Sequence, residues 1–97
     1  MVKILKNKKF IANFCARNGI KYLAVFGSYA RGEENKTSDI DLLVDFFGKK
    51  SLFDFVKIKD SLENKIGREV DLVMRNSVKP FLRPFIKKDL LTLYEKR

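Results

Sequence analysis

The sequence predicts an α/β (α+β) fold: a small mixed β-sheet of three to four strands flanked by helices, in one domain spanning 1–97. Three observations predict it. Short β-prone apolar runs alternate with stretches whose apolar residues recur at helical spacing. Glycines punctuate the boundaries between them. A hydrophobic fraction of 45% with nine Phe provides for one modest core in a chain of 97 residues.

The elements follow in order. From Val2 to Arg17, helical spacing gathers Ile4, Ile11, Phe14 and Cys15 on one face, and Gly19 is a natural stop. "IKYLAVFG" reads as a buried strand. Gly27-Ser28 breaks it, "SYARGEE" suits a turn of helix, and "ENKTS" suits a polar loop with Glu33 and Glu34 at the surface. "DIDLLVDFF" is a second strand, with Asp39, Asp41 and Leu43 on one side and Ile40, Leu42 and Val44 on the other. After Gly48, Ser51 and Asp54 resemble a helix cap, and Leu52, Phe55, Val56, Leu62 and Ile66 form the apolar stripe of a helix that Gly67 closes. "REVDLVM" is a third strand. Pro80 suits the first turn of another short helix, and Pro84 limits how it continues. "LLTLYE" fits a helix tail or an edge strand equally. No repeat, linker or domain boundary interrupts this order.

Composition narrows the chemistry. Lys and Arg number 21 against 12 Asp and Glu, a net charge of +9 that draws polyanions. There is no His, which removes the commonest general base and every Ser-His arrangement. The single cysteine, Cys15, excludes an internal disulfide and reads as a small core residue. No run approaches the ~20 apolar residues of a membrane span, and no signal-like segment opens the sequence, so a reduced, cytoplasmic protein is expected.

The acids are the departure from a plain packing strand. Asp39 and Asp41 project from points about 7 Å apart on one side of the second strand. Bare carboxylates brought within ~4 Å repel by about 4 kcal/mol at an effective dielectric near 20. A hard divalent cation suits such clustered oxygens. Asp71 is an acid in the same kind of setting on the third strand; if the two strands are neighbours, it joins the pair. Three such acids can hold two Mg²⁺ ions, which activate an attacking oxygen and stabilise a leaving phosphate, with Asp71 placed to help deprotonate the acceptor hydroxyl. Gly27 lets backbone approach a phosphate, and Ser28 adds a donor at the start of a helical turn. Arg31, one turn on, reaches the same phosphates. Asp45 and Glu69 are left out, the first as structural or solvated, the second as facing the other side. A D-x-D pair or a Gly-Ser turn alone is commonplace; their order together with a third strand-borne acid is specific.

Gly27-Ser28, the ten residues from Tyr29 to Ser38, and Asp39-Ile40-Asp41 form a GS-x10-D-x-D pattern that resembles the nucleotidyltransferase superfamily related to DNA polymerase β. "GSYARGEENKTSDIDLLVDF" resembles in particular the minimal nucleotidyltransferases, the MntA-type antitoxins paired with HEPN-domain toxins. The likeness covers nearly the whole chain. It implies Asp39 and Asp41 as metal ligands, Asp71 as third carboxylate or base, Gly27 and Ser28 as the phosphate turn, and Arg31 as a basic position beside it. It implies an enzyme with ATP as substrate that transfers AMP to a Tyr hydroxyl of a HEPN ribonuclease toxin in a hetero-oligomer.

Larger members carry a second domain for the acceptor. This sequence spends its length on the nucleotide-holding half and offers no evident pocket for a small acceptor, so a protein acceptor is expected. Two further readings remain: neutralisation by binding alone, and transfer to a small molecule such as an aminoglycoside. For the first, Phe81, Phe85, Leu90 and Tyr94 would form a contact patch, although they read first as core. A basic nucleic-acid module ranks below both, because it leaves the acids unexplained.

Overall fold

The computed structural model describes residues 3–32 and 39–96. Among them run α1 (Lys8–Arg17), β1 (Ile20–Phe26), α2 (Ser28–Arg31), β2 (Ile40–Phe46), α3 (Leu52–Ile66), β3 (Val70–Met74), α4 (Arg83–Lys88) and β4 (Leu91–Glu95). The four strands form one sheet in the order β3-β2-β1-β4. β1 pairs antiparallel with β2 and with β4, while β2 and β3 run parallel. A parallel pair needs a crossover, and α3 supplies it. The mixed α/β class expected from the sequence is therefore the observed one, with "LLTLYE" resolved as an edge strand.

Strand alternation divides the interior in two. Leu23 and Val25 of β1, Ile40, Leu42 and Val44 of β2, and Val70 and Leu72 of β3 join Ile11, Phe14 and Cys15 of α1 and Ile58, Leu62 and Ile66 of α3. Burial within this layer pushes the Cys15 thiol up to about 12, so it is a packing residue and no nucleophile. On the opposite face, Tyr22, Ala24, Leu43 and Val78 form a smaller cluster, joined by Phe26, Val73, Ile86 and Leu90. This thinner layer carries the acids.

Four local expectations need correction. The first helix does not run unbroken from the N-terminus: a 3₁₀ turn spans Lys3–Lys6, and α1 begins after Asn7, whose side chain accepts the Phe10 N–H at 3.0 Å. Asn competes with helical backbone and favours the cap. The stripe of α3 is Ile58, Leu62 and Ile66 with Phe55 beside it; Leu52, at the start of the first turn, is 78% exposed, and Val56 is exposed because, two residues from Ile58, it points about 160° away from it round the helix. The Ser51 cap holds, its hydroxyl accepting the Asp54 N–H at 3.1 Å. Pro84 sits in the first turn of α4 and starts that helix instead of limiting one begun at Pro80, which opens a separate 3₁₀ turn. Phe81 and Phe85 are not core: they are 67% and 72% exposed, while Leu90 and Tyr94 pack partly. The expected loop at 34–38, with Glu33 and Glu34, lies outside the described residues.

Candidate active site

Register builds the site. Asp41 is the direct partner of Asp71 across the parallel β2–β3 pair, so the two carboxylates leave the same sheet face from adjacent strands about 4.8 Å apart. On its other side Asp41 pairs with Phe26, the last residue of β1. The next residue is Gly27, which turns the chain into α2 with φ 74° and ψ −150°, a region that L side chains avoid. A Cβ on Gly27 would collide with Asp41 Oδ2. Gly27 is thus required both by its backbone angles and by the carboxylate lying against it.

Asp39 precedes β2 by one residue and is exposed, Asp41 is half-buried, and Asp71 is exposed. Burial raises the Asp41 carboxyl above its ordinary range, the negative charges of Asp71 and Asp39 raise it further, and the Arg31 guanidinium partly offsets them. The three sequence-predicted acids are therefore electrostatically one group centred on Asp41. Among the described residues no three of His, Cys, Asp and Glu form a finished metal cage. The set nevertheless fits a hard cation: oxygen-only donors on neighbouring strands, held in an unfavourable negative field that a cation relieves.

Ser28 opens α2 and is half-buried. Arg31 closes it, and its backbone N–H donates to the Gly27 carbonyl at 3.2 Å. The Arg31 Nη1 donates to Asp89 Oδ2 at 2.8 Å. That partner was missed from sequence. It lies 58 residues away in the turn between α4 and β4, where no periodic signal points to it.

The structure also holds a cavity of about 550 Å³ on the same face, where no acceptor pocket was expected. Leu43, Val78 and Ile86 floor it, and Arg75, Arg83 and Lys87 surround it. Asp45 faces it as well, with Oδ1 accepting the Phe46 N–H at 3.0 Å. Glu69 is exposed, and its backbone carbonyl accepts the Ile40 N–H at 3.0 Å.

A mixed sheet presenting paired strand acids beside a glycine turn suits the class of sites that handle phosphate with a bound metal ion. The chain belongs to the nucleotidyltransferase domain family, whose model matches residues 7–93. A Methanocaldococcus jannaschii protein, provisionally named a protein adenylyltransferase, is 46% identical over 76 residues, 78% of this chain and 82% of its own. The protein adenylyltransferase MntA of Thermococcus cleftensis is 48% identical over 63 residues, 65% of this chain and 64% of its own. A solved structure provisionally described as a minimal nucleotidyltransferase superposes with TM-score 0.76 at 36% identity, covering 89% of this chain and 88% of that one. A complex of tri-AMPylated Shewanella oneidensis HEPN toxin with its MNT antitoxin shares the fold, with TM-score 0.70 at 19% identity over 99% of this chain and 74% of that one. The family resemblance carried by the GS-x10-D-x-D pattern is thereby borne out.

Proposed function

We propose that the protein is a Mg²⁺-dependent adenylyltransferase that acts in the cytoplasm as an antitoxin, moving AMP from ATP to a Tyr hydroxyl of a cognate HEPN-domain ribonuclease toxin. The observation that carries this reading is the side-by-side register of Asp41 and Asp71 next to the Gly27 turn. The names of the relatives and the contents of the Shewanella complex support it.

Asp39, Asp41 and Asp71 would hold the Mg²⁺, two ions in all. When bound, Mg²⁺ neutralises charge on the transferring phosphate and eases ionisation of the attacking hydroxyl. Gly27 admits the triphosphate close to the backbone, and the Ser28 hydroxyl donates to it. Arg31 offers a planar guanidinium to the same oxygens. The acceptor oxygen bonds to the α-phosphorus, the bond from that phosphorus to its bridging oxygen breaks, and pyrophosphate leaves. The Asp71 carboxylate takes the hydroxyl proton, the role that His would fill elsewhere. The added phosphate and nucleoside then obstruct RNA on the toxin by bulk and by charge.

Mixing the protein with its toxin, ATP and Mg²⁺ and weighing the toxin tests this: a gain of one or more AMP units is expected, and an unchanged mass refutes it. The exposed Phe81 and Phe85 favour one other reading, neutralisation by contact alone. Asp39→Asn with Asp41→Asn separates the two, since full neutralisation by that variant would make catalysis unnecessary. A cationic aminoglycoside acceptor is disfavoured by the three cations around the cavity.

A further inference from the structure

The cavity on the catalytic face is absorbed neither by the metal site nor by the phosphate turn. Its floor residue Leu43 lies two residues beyond Asp41 on the same side of β2, a separation of about 7 Å. Asp45, at its far side, is four residues from Asp41, about 13 Å. The cavity therefore begins beside the carboxylates and leads away from them along the sheet.

Its cations are arranged in advance. The Arg75 guanidinium stacks on the Tyr22 ring at 4.3 Å. Tyr22 is itself anchored, its hydroxyl sharing a 2.9 Å hydrogen bond with the Thr92 hydroxyl. The Arg83 Nε–H donates to the Val78 carbonyl at 3.4 Å, which turns the remaining donors of its fork elsewhere. Lys87 adds a third positive charge, against the single carboxylate of Asp45. Guanidinium groups held in place lose little entropy on meeting a carboxylate, and they suit it in geometry. The volume falls within the usual range for a binding cavity, about 300–1,000 Å³.

We infer that this cavity is the docking site for an acidic segment of the acceptor protein, which seats its carboxylates on Arg75, Arg83 and Lys87 and so delivers its hydroxyl to Asp71. The inference rests on the proposed transfer to a protein. Charge selects the occupant. A second copy of this chain, at net +9, is repelled. An acidic polypeptide is attracted, and the exposed aromatics Phe81 and Phe85 on the adjoining 3₁₀ turn and α4 give such a partner apolar surface to cover. For an extended segment, a separation of about 7–13 Å corresponds to roughly two to four residues between the acids and the modified Tyr.

Short synthetic peptides test this. Each carries one Tyr, with Asp, Asn or Lys placed two to four residues from it. Binding is read by fluorescence anisotropy without ATP, and AMP transfer is read by mass. The Asp peptide is expected to bind at least about fivefold tighter than the Asn peptide, and the Lys peptide weaker still. Arg75→Gln with Arg83→Gln abolishes that preference. Lys87→Gln, a change at an exposed side chain that leaves the fold intact, reduces it. The KM for ATP stays at the wild-type value in both variants. Binding that ignores peptide charge, or a preference that survives these substitutions, overturns the inference whatever the transfer result. So does single-stranded RNA that binds the same cations more tightly than the Asp peptide. Charge-dependent peptide binding together with an unchanged toxin mass upholds the docking site and refutes the proposed reaction instead.

Discussion

Gly27→Ala tests the coupling between turn and carboxylate. Two penalties combine in this variant. The backbone at φ 74° and ψ −150° lies where only glycine rests easily, and forcing Ala there costs about 1–3 kcal/mol. The new methyl also lands on Asp41 Oδ2, so the carboxylate must turn away or the strand end must shift. Gly67→Ala is the control. Its φ of 78° also strains Ala, but nothing lies within 4 Å of the added Cβ. For a domain of this size 1 kcal/mol moves the melting temperature by about 4–8 °C. Gly67→Ala should therefore lose about 1 kcal/mol, or about 4–8 °C, and keep its transfer activity. Gly27→Ala should lose about 2 kcal/mol, or about 8–16 °C. Its AMP transfer should fall at least about 100-fold, because displacing a reacting-site group by about 1 Å is enough for that. Melting by circular dichroism and toxin mass after incubation with ATP measure both. A folded Gly27→Ala protein with near wild-type transfer would refute the reasoning, since Asp41 could then move without consequence.

Three other perturbations follow from the same geometry. Asp41 titrates above its unfolded value of 3.8, so its charged form is the disfavoured one in the fold; in chelator, this group's contribution to stability should grow as pH falls through the raised value toward 3.8 and be lost as pH rises, and Asp41→Asn should melt higher at neutral pH while losing transfer. Glu63 titrates below 4.5 because its carboxylate accepts the Val70 N–H at 2.8 Å and meets Lys59 at 3.2 Å; its contribution is full above 4.5 and fades as pH falls through the lowered value, and Glu63→Ala should cost about 1 kcal/mol at neutral pH with a flatter acid profile in melts recorded against pH. Asp89→Ala removes the ion pair that Asp89 makes with Arg31, which is worth at most about 1 kcal/mol, so the melting temperature should move little while the KM for ATP rises several-fold, and Asp89→Glu should restore it.

What could be read from the sequence depended on the range of the signal. Period-two alternation in "DIDLLVDFF" correctly put Asp41 and Leu43 opposite Ile40 and Leu42, because one face of that strand is fully buried. The pairing of Asp41 with Asp71 was conditional on which strands were neighbours, and only the β3-β2-β1-β4 order settles it. Helical stripes were less legible. Leu52 follows the period of Phe55 yet emerges exposed, since periodicity gives a face without saying how far along the helix the sheet extends, and Val56 falls off the stripe of Ile58, Leu62 and Ile66. Asp89 and Tyr22 acquire their roles through partners 58 and 70 residues away, contacts that no local pattern encodes. Arg75 was the one missed cation with a readable signal: it continues the alternation of Asp71 and Val73 toward the catalytic side.

The two faces of the sheet are under opposite demands. The face under α1 and α3 buries Ile11, Leu23, Val25, Leu42 and Leu62 almost completely, each worth about 1.5–3 kcal/mol against exposure. The other face spends positions of the same strands on Asp41 and Asp71, where mutual repulsion and partial burial destabilise the fold. Ala24 and Leu43 pack there under Val78, but the layer stays thin and leaves a cavity ringed by cations. A sequence selected for stability alone would place apolar residues at 41 and 71 and fill that cavity. Its opposite choice at both places is what the proposed chemistry on this face requires, with the first face providing the stability that makes the choice tolerable.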